Sequence, residues 1–139
     1  MTIILDTNFI FALKAQNDKN YIRANEILEI LYAEHKDLII TSYSVLSETF
    51  TLAISRYNSN VKYLKEYYNL FWGDENFFKI VNFENVEYQE IYGILEKYCT
   101  PKKHLSFVDA SLIHLYNKYK AELIVSFDGH FDNILNRLF

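Results

Sequence analysis

Glycine, proline and cysteine are scarce in this chain of 139 residues, which contains three Gly, one Pro and one Cys. Gly and Pro together fall far below the roughly 12% of an average protein, which argues against a turn-rich β-sandwich and favours a helical or α/β domain. Gly73, Gly93 and Gly129 stand too far apart to form the glycine-rich loops that bind nucleotide phosphates. The single Cys99 excludes an intrachain disulfide and a multi-cysteine zinc site, and we expect it to be an inert, buried thiol.

Long apolar runs are also missing. The longest uncharged run covers the ten residues 38–47, whereas a membrane span needs about 20 apolar residues. No basic segment precedes the first apolar run, so we expect no signal peptide. We therefore expect a single domain over residues 1–139, soluble in the cytoplasm and without a membrane partner.

Short apolar runs alternate with stretches of helical spacing. Runs at 2–5, 38–40 and 123–125 each end at a polar residue and predict buried strands. A looser alternation at 77–83 predicts another strand, and residues 134–139 are compatible with either a short strand or a turn. Apolar residues at helical spacing predict helices over about 24–31, 43–57, 60–72, 86–98 and 106–120. This alternation is typical of an α/β domain with a central parallel sheet of about four to five strands.

Four acidic residues fall where such a sheet would collect a ligand, beyond the carboxyl ends of its strands. Asp6 and Asp128 follow strands, while Glu48 and Asp109 lie on apolar faces near the starts of helices. Taken singly, each acid has an ordinary alternative as a helix cap, a turn residue or half of a buried ion pair. Taken together, with no Lys or Arg beside them in sequence, they would repel one another unless a divalent cation bound them. Mg²⁺ or Mn²⁺ accepts such oxygen ligands, and Asp132 could add a fifth.

Four segments in this order resemble those of the PIN-domain nucleases, and the chain length is most similar to that of VapC-type toxin ribonucleases. The matching segments are Ile3–Asn8, Ser47–Glu48, Leu105–Ala110 and Ile124–Asp132. The resemblance implies a PIN-like three-layer fold and an endoribonuclease that uses one or two Mg²⁺ or Mn²⁺ ions to hydrolyse RNA. It also implies a role as the toxin of a toxin–antitoxin pair, with an antitoxin protein as partner and a homodimer as the expected assembly.

The resemblance also assigns residues. Its acidic quartet matches Asp6, Glu48, Asp109 and Asp128 as catalytic residues and metal ligands. Asp132 matches an acid that only part of the family carries. The polar neighbours that hydrogen-bond the ligands or contact the scissile phosphate match Thr7, Asn8, Ser106 and Ser126.

The net charge of −4 speaks against nucleic-acid binding at first sight. Without the five candidate ligands, however, 13 acidic residues remain against 14 basic ones, so the acidic balance weighs little against RNA. Lys102, Lys103 and His104 could contact phosphate, although a solvated loop is the simpler interpretation. His130 is compatible with either a substrate contact or a turn. The aromatic cluster between Tyr63 and Trp72 could stack on bases, but core packing or a dimer surface is favoured.

Three other functions stay open at this point. A haloacid-dehalogenase-like phosphatase also begins with a strand followed by Asp, but it needs a second acid where this chain has Asn8. A PIN-type nuclease that processes RNA without being a toxin would use the same residues. A non-catalytic RNA-binding or scaffold domain would keep the fold, although buried acids without a cation are costly to retain.

Overall fold

Strands and helices alternate along the chain in the computed structural model, which describes residues 1–34 and 38–139. The described strands are β1 (Thr2–Leu5), β2 (Leu38–Ser42), β3 (Lys79–Val81), β4 (Leu123–Val125) and β5 (Arg137–Leu138). The described helices are α1 (Thr7–Ala12), α2 (Tyr21–Ala33), α3 (Tyr43–Arg56), α4 (Val61–Phe71), α5 (Asn85–Tyr98) and α6 (Phe107–Lys118). All strand pairs are parallel, in the order β3-β2-β1-β4-β5. The predicted α/β class and parallel sheet are confirmed.

The central strand β1 determines where the chain's acidic residues meet. Ile3, Ile4 and Leu5 are buried because β1 pairs with β2 on one side and β4 on the other. The backbone N–H of Asp6 extends this pairing by donating to the carbonyl of Val125 at 3.1 Å. Since parallel strands end at the same edge, Asp6 and the residues after Val125 lie side by side there.

Helix α1 is absent from the sequence-based prediction. It begins directly after β1, and Phe9, Ile10, Phe11 and Ala12 are all buried. A helix that is buried all round has no polar face, so its sequence lacks the amphipathic period by which helices are recognised. Its start is fixed by Asp6, whose side chain accepts a hydrogen bond from the backbone N–H of Thr7 at 2.7 Å.

The aromatic cluster of α4 divides between core and surface. Tyr67 and Phe71 are buried, and the Tyr67 hydroxyl donates to the carbonyl of Phe11 at 2.8 Å. Burial raises the pKa of Tyr67, so this phenol stays protonated as a donor. Core packing, the interpretation favoured from the sequence, is therefore confirmed for these two rings. Tyr68 and Trp72 remain exposed.

Several boundaries and one exposure differ from expectation. The strand predicted over 77–83 is limited to the three residues of β3 at the sheet edge. The open choice at 134–139 resolves as a turn followed by β5. The expectation of a buried Cys99 is wrong, because this residue ends α5 and is exposed. Within the described residues, no helix combines the length and apolar character of a membrane span.

Candidate metal centre and active site

A cavity of about 310 Å³ at the carboxyl edge of the sheet collects the four predicted acids. Asp6 comes from the end of β1, Glu48 from α3, Asp109 from α6 and Asp128 from the segment after β4. The walls of this carboxylate cavity consist of Asp6, Thr7, Asn8, Glu48, Leu52, His104, Ser106, Asp109, Asp128 and His130. Residues as far apart in sequence as Asp6 and Asp128 thus meet at one place, as the strand order predicts.

Asp6 is the most deeply placed of the four, with 4% of its surface exposed. One carboxylate oxygen accepts from the Thr7 N–H, and the other accepts from the Ser126 hydroxyl at 2.7 Å. Burial raises the pKa of Asp6 from 3.8 to about 7, and the charges of Asp109 and Glu48 add to the rise. The two hydrogen bonds oppose this effect without cancelling it. The surroundings of Asp6 therefore disfavour the charged form of its carboxyl group.

Asp109 is held by a reciprocal pair of hydrogen bonds at the start of α6. The Ser106 hydroxyl accepts from the Asp109 N–H at 2.9 Å, while Asp109 Oδ2 accepts from the Ser106 N–H at 2.9 Å. Two of the backbone N–H groups at the helix start are thereby satisfied. Burial raises the pKa of Asp109, and the neighbouring charge of Asp128 contributes to the rise.

Glu48 and Asp128 complete the acidic wall from less buried positions. Glu48 lies in the second turn of α3, slightly further into the helix than the position near its start that the sequence predicts. Asp128 caps a 3₁₀ turn, Gly129–Phe131, by accepting from the His130 N–H at 2.9 Å. Across residues 1–34 and 38–139, no Lys or Arg forms an ion pair with any of the four acids. The ion-pair alternative left open by the sequence does not account for this cluster.

The predicted polar neighbours lie beside the acids. Ser126 is fully buried, and Asn8 joins the same network by accepting from the Phe127 N–H at 3.0 Å. Thr7, Asn8 and Ser106 line the cavity, whereas Ser126 lies behind Asp6. The hydroxyl of Thr7 is buried and has no hydrogen-bond partner. Ser126 thus orients the Asp6 carboxylate, and Asn8 contacts Ser126 and the backbone that follows it.

Asp132 does not belong to this wall. Both of its carboxylate oxygens accept from the guanidinium of Arg137, at 2.8 and 3.1 Å. Arg137 holds the pKa of Asp132 below its usual value. Because the side chain is engaged with Arg137 and does not line the carboxylate cavity, its predicted place among the metal ligands is not supported.

The three basic residues of the loop before α6 differ in whether they line the carboxylate cavity. His104 lines the carboxylate cavity, and its Nε2 lies 2.9 Å from the carbonyl of Pro101. Lys103 donates to the backbone carbonyl of Asp132 at 3.3 Å, and Lys102 is exposed. Only the histidine of this loop therefore reaches the candidate site.

The donor set fits a divalent cation. One oxygen each of Asp109 and Asp128 and one ring nitrogen of His130 lie within 4.8 Å of one another. Asp6 and Glu48 supply further oxygens on the same cavity. Two buried polar atoms there, Thr7 Oγ1 and His130 Nδ1, have no hydrogen-bond partner. A cation with its bound water would satisfy both the charge of the acids and these two atoms.

An aromatic groove of about 530 Å³ adjoins the carboxylate cavity and shares Glu48 and Leu52 with it. Its aromatic walls are Tyr43, Tyr88 and Phe107, all substantially exposed, and the rings of Tyr88 and Phe107 stack at 6.4 Å. Hydroxyls and apolar side chains complete it, namely Ser44, Ser47, Thr51 and Val108. This groove was not predicted, because its rings come from three helices whose packing the sequence alone does not reveal.

This fold and this acidic edge define the class of protein. The PIN-domain family profile matches residues 3–135, and the chain belongs to that family. The resemblance noted in the sequence is confirmed, as is its PIN-like three-layer fold.

Solved structures extend the comparison. The chain is similar to the VapC20 toxin of Mycobacterium tuberculosis, described as cleaving the sarcin–ricin loop, with 22% identity, a TM-score of 0.76 and 93% and 92% coverage of the two chains. It is similar to VapBC2 of Rickettsia felis bound to a promoter DNA fragment, with 18% identity, a TM-score of 0.68 and 99% and 98% coverage. It also resembles FitAcB of Neisseria gonorrhoeae, with 17% identity, a TM-score of 0.67 and 99% and 96% coverage. These likenesses show a shared fold. No match was found among curated proteins.

Proposed function

We propose that this PIN-domain protein is a divalent-metal-dependent endoribonuclease. The observation that carries the proposal is the convergence of Asp6, Glu48, Asp109 and Asp128 on one cavity without a Lys or Arg partner among the described residues. Carboxylates in such a cluster raise one another's pKa, so they are retained at a cost in stability unless they bind a cation.

Asp6, Glu48, Asp109 and Asp128 are the residues that would hold one or two Mg²⁺ or Mn²⁺ ions. A bound ion would supply an activated water and stabilise negative charge on the phosphate. The chain supplies the rest: Ser126 orients Asp6, and Ser106 and Asp109 fix each other. Such partners keep ligand oxygens in place and tune their basicity. Thr7 lines the same cavity, and its buried hydroxyl has no hydrogen-bond partner among the described residues.

RNA is the substrate that the surroundings of the cavity support. A single-stranded nucleic acid with a phosphate at the carboxylates would place an adjoining base against the aromatic groove, where Tyr43 and Phe107 offer exposed rings. Base stacking on such rings contributes roughly 1–3 kcal/mol per base. Among the described residues that line the groove there is no Lys or Arg, so its chemistry suits a base rather than a second phosphate.

The toxin of a toxin–antitoxin pair is the biological role that we propose. VapC20 is described as a toxin that cleaves the sarcin–ricin loop, and a further similar structure is described as a toxin–antitoxin complex from Klebsiella pneumoniae, with 15% identity, a TM-score of 0.66 and 99% and 96% coverage of the two chains. We accordingly propose an antitoxin protein as partner and a homodimer as the assembly.

A cleavage assay tests the enzymatic proposal. Purified protein is incubated with structured and single-stranded RNAs in Mn²⁺, in Mg²⁺ and in EDTA. Cleavage is expected with either ion, and EDTA or Asp128→Asn should abolish it. Asp132→Asn is the matched control: it removes a nearby acid that lies outside the cavity, and it should retain activity. Inactivity of the wild type on all RNAs together with no Mn²⁺ binding would instead favour a non-catalytic RNA-binding domain.

Induced expression in a bacterial host tests the toxin role. Growth arrest is expected with the wild type and should be lost in Asp109→Asn at an equal protein level. Cleavage of RNA in vitro without growth arrest would instead indicate an RNA-processing nuclease.

A further inference from the structure

His130 presents a ring nitrogen to the carboxylates in an arrangement that hydrogen bonding does not explain. Its Nδ1 lies 3.3 Å from Asp128 Oδ2 and 3.9 Å from Asp109 Oδ2. Although 44% of the side chain is exposed, Nδ1 itself is buried and makes no hydrogen bond. The nitrogen therefore faces two carboxylates, with Asp109 beyond hydrogen-bond distance and no hydrogen bond formed to Asp128.

The backbone holds this nitrogen in place. His130 lies in the 3₁₀ turn after Asp128, and its N–H donates to Asp128 Oδ1 at 2.9 Å. Asp128 is anchored in turn by its own N–H, which donates to the Ser126 hydroxyl at 3.0 Å. The imidazole and the carboxylate oxygen facing it thus belong to one short, hydrogen-bonded segment.

The spacing of the three atoms suits a shared ion. Two ligands bound at about 2.1 Å to one ion lie about 3 Å apart when adjacent in an octahedron and about 4.2 Å apart when opposite. The two His130 separations, 3.3 and 3.9 Å, are shorter than the distance between opposite ligands, and all three atoms lie within 4.8 Å of one another. Thr7, a second residue of the same cavity wall, also has a buried polar atom, its hydroxyl oxygen, without a hydrogen-bond partner among the described residues.

We propose that His130 Nδ1 is a direct ligand of the divalent ion, together with Asp109 and Asp128, and that it shifts the ion preference of the site from Mg²⁺ toward first-row transition ions. The inference rests on the metal site of the proposed function and adds a nitrogen donor to it. Mg²⁺ demands near-ideal octahedral oxygen coordination and dehydrates reluctantly, whereas a site with a nitrogen donor binds the first-row ions with an affinity that rises from Mn²⁺ to Cu²⁺. The site should therefore bind Mn²⁺ about tenfold more tightly than Mg²⁺.

The alternative is that His130 is a cationic ion-pair partner of Asp128. The two roles predict opposite changes in Mn²⁺ affinity when the imidazole ring is removed. If His130 is a ligand, removing its ring weakens Mn²⁺ binding. If it is a competing cation, removing the ring strengthens binding, because the ion no longer has to displace it. Calorimetric titration of His130→Ala with MnCl₂ decides between them, and we expect about tenfold weaker Mn²⁺ binding and nearly unchanged Mg²⁺ binding.

His104→Ala is the matched control, since His104 lines the same cavity but its Nε2 lies 2.9 Å from the Pro101 carbonyl. This variant should bind both ions as the wild type does. Circular dichroism confirms that each variant is folded.

Pulsed electron paramagnetic resonance of the Mn²⁺-loaded wild type gives a second readout that needs no variant. A nitrogen-14 coupling from a directly bound imidazole is expected, retained in His104→Ala and lost in His130→Ala. Tight Mn²⁺ binding without this coupling would overturn the inference and leave the proposed nuclease intact. Absence of any Mn²⁺ binding would overturn both.

Discussion

The hydroxyl of Ser126 donates to Asp6 Oδ2 at 2.7 Å across 120 residues of sequence, and it also accepts from the N–H of Asp128 at 3.0 Å. One fully buried serine therefore sets the position of two acids of the candidate metal centre. Because Ser126 follows β4 and Asp6 follows β1, this bond also joins the ends of two paired strands. The acidic site and the sheet edge are thus held by the same contact.

Ser126→Ala tests this contact. The substitution removes the donor to Asp6 and the acceptor for Asp128, so both ligands lose orientation, and Mn²⁺ affinity should fall by about tenfold. Calorimetric titration measures the change. Ser55→Ala, an exposed serine of α3 outside the cavity, should leave affinity unchanged. Equal affinities in the wild type and Ser126→Ala would show that the hydroxyl does not position the ligands.

The raised pKa of Asp6, about 7, predicts that metal binding depends on pH. An ion binds the carboxylate and displaces its proton, so Mn²⁺ affinity should rise from pH 5.5 to pH 8 and then level off. Proton release at pH 6 should be visible as a dependence of the binding enthalpy on the ionisation enthalpy of the buffer. A flat affinity over this range would mean that Asp6 is already ionised at pH 5.5.

The raised pKa of Asp6 also predicts that the metal-free protein becomes less stable as the pH rises, whereas its Mn²⁺ affinity increases. The Asp6 carboxyl has a pKa near 3.8 in the unfolded chain and about 7 in the folded protein. Between pH 3.8 and pH 7 the folded protein therefore binds more protons than the unfolded chain, so the free energy of unfolding falls as the pH rises through this range. Asp6→Asn removes the charge and should stabilise the metal-free protein at pH 8 by on the order of 2 kcal/mol. The gain should shrink toward pH 4. Urea unfolding in EDTA at several pH values measures it, and a destabilised variant at pH 8 would contradict the prediction.

Sequence reasoning finds the parts of the fold that local pattern determines. The strands around Ile3–Leu5 and Leu123–Val125 are short apolar runs that end at polar residues, and their pairing brings Asp6 and Asp128 to one edge. Helix α1 could not be predicted, because nearly all of its residues are buried and its sequence therefore has no amphipathic pattern. The contact between Asp132 and Arg137 could not be predicted, because Arg137 is positioned by β5, a two-residue strand paired with β4.

Glu87 predicts a further pH effect, away from the candidate metal centre. The Lys118 ammonium at 2.6 Å, the Glu84 N–H and His114 together lower the pKa of Glu87 from 4.5 to about 2. A carboxylate with a lowered folded-state pKa contributes stability above about pH 4.5 and loses that contribution as the pH falls toward 2. Glu87→Gln should therefore destabilise the protein at pH 7 by about 1 kcal/mol, since the exposed Lys118 is screened by solvent.

Urea unfolding of Glu87→Gln at pH 7 and pH 3.5 measures this effect, and the difference from the wild type should shrink at the lower pH. Glu90→Gln is the control on the same helix, because the Glu90 side chain is 59% exposed and its Oε2 lies 3.7 Å from His114 Nδ1. It should change stability little. A constant difference for Glu87→Gln across the pH range would show that the loss comes from packing rather than charge.

The aromatic groove predicts a division between substrate binding and turnover. If a base beside the scissile phosphate stacks on Tyr43, then Tyr43→Ala should raise KM for a short single-stranded RNA by about tenfold and leave kcat nearly unchanged. Tyr92→Ala removes an equally exposed ring of α5 that lies outside the groove, and it should leave both constants unchanged. A substrate with an abasic site next to the cleavage position should bind the wild type and Tyr43→Ala equally. Unchanged KM in Tyr43→Ala, combined with weakened binding of a co-expressed antitoxin, would assign the groove to a protein partner, because exposed rings serve protein interfaces as readily as bases.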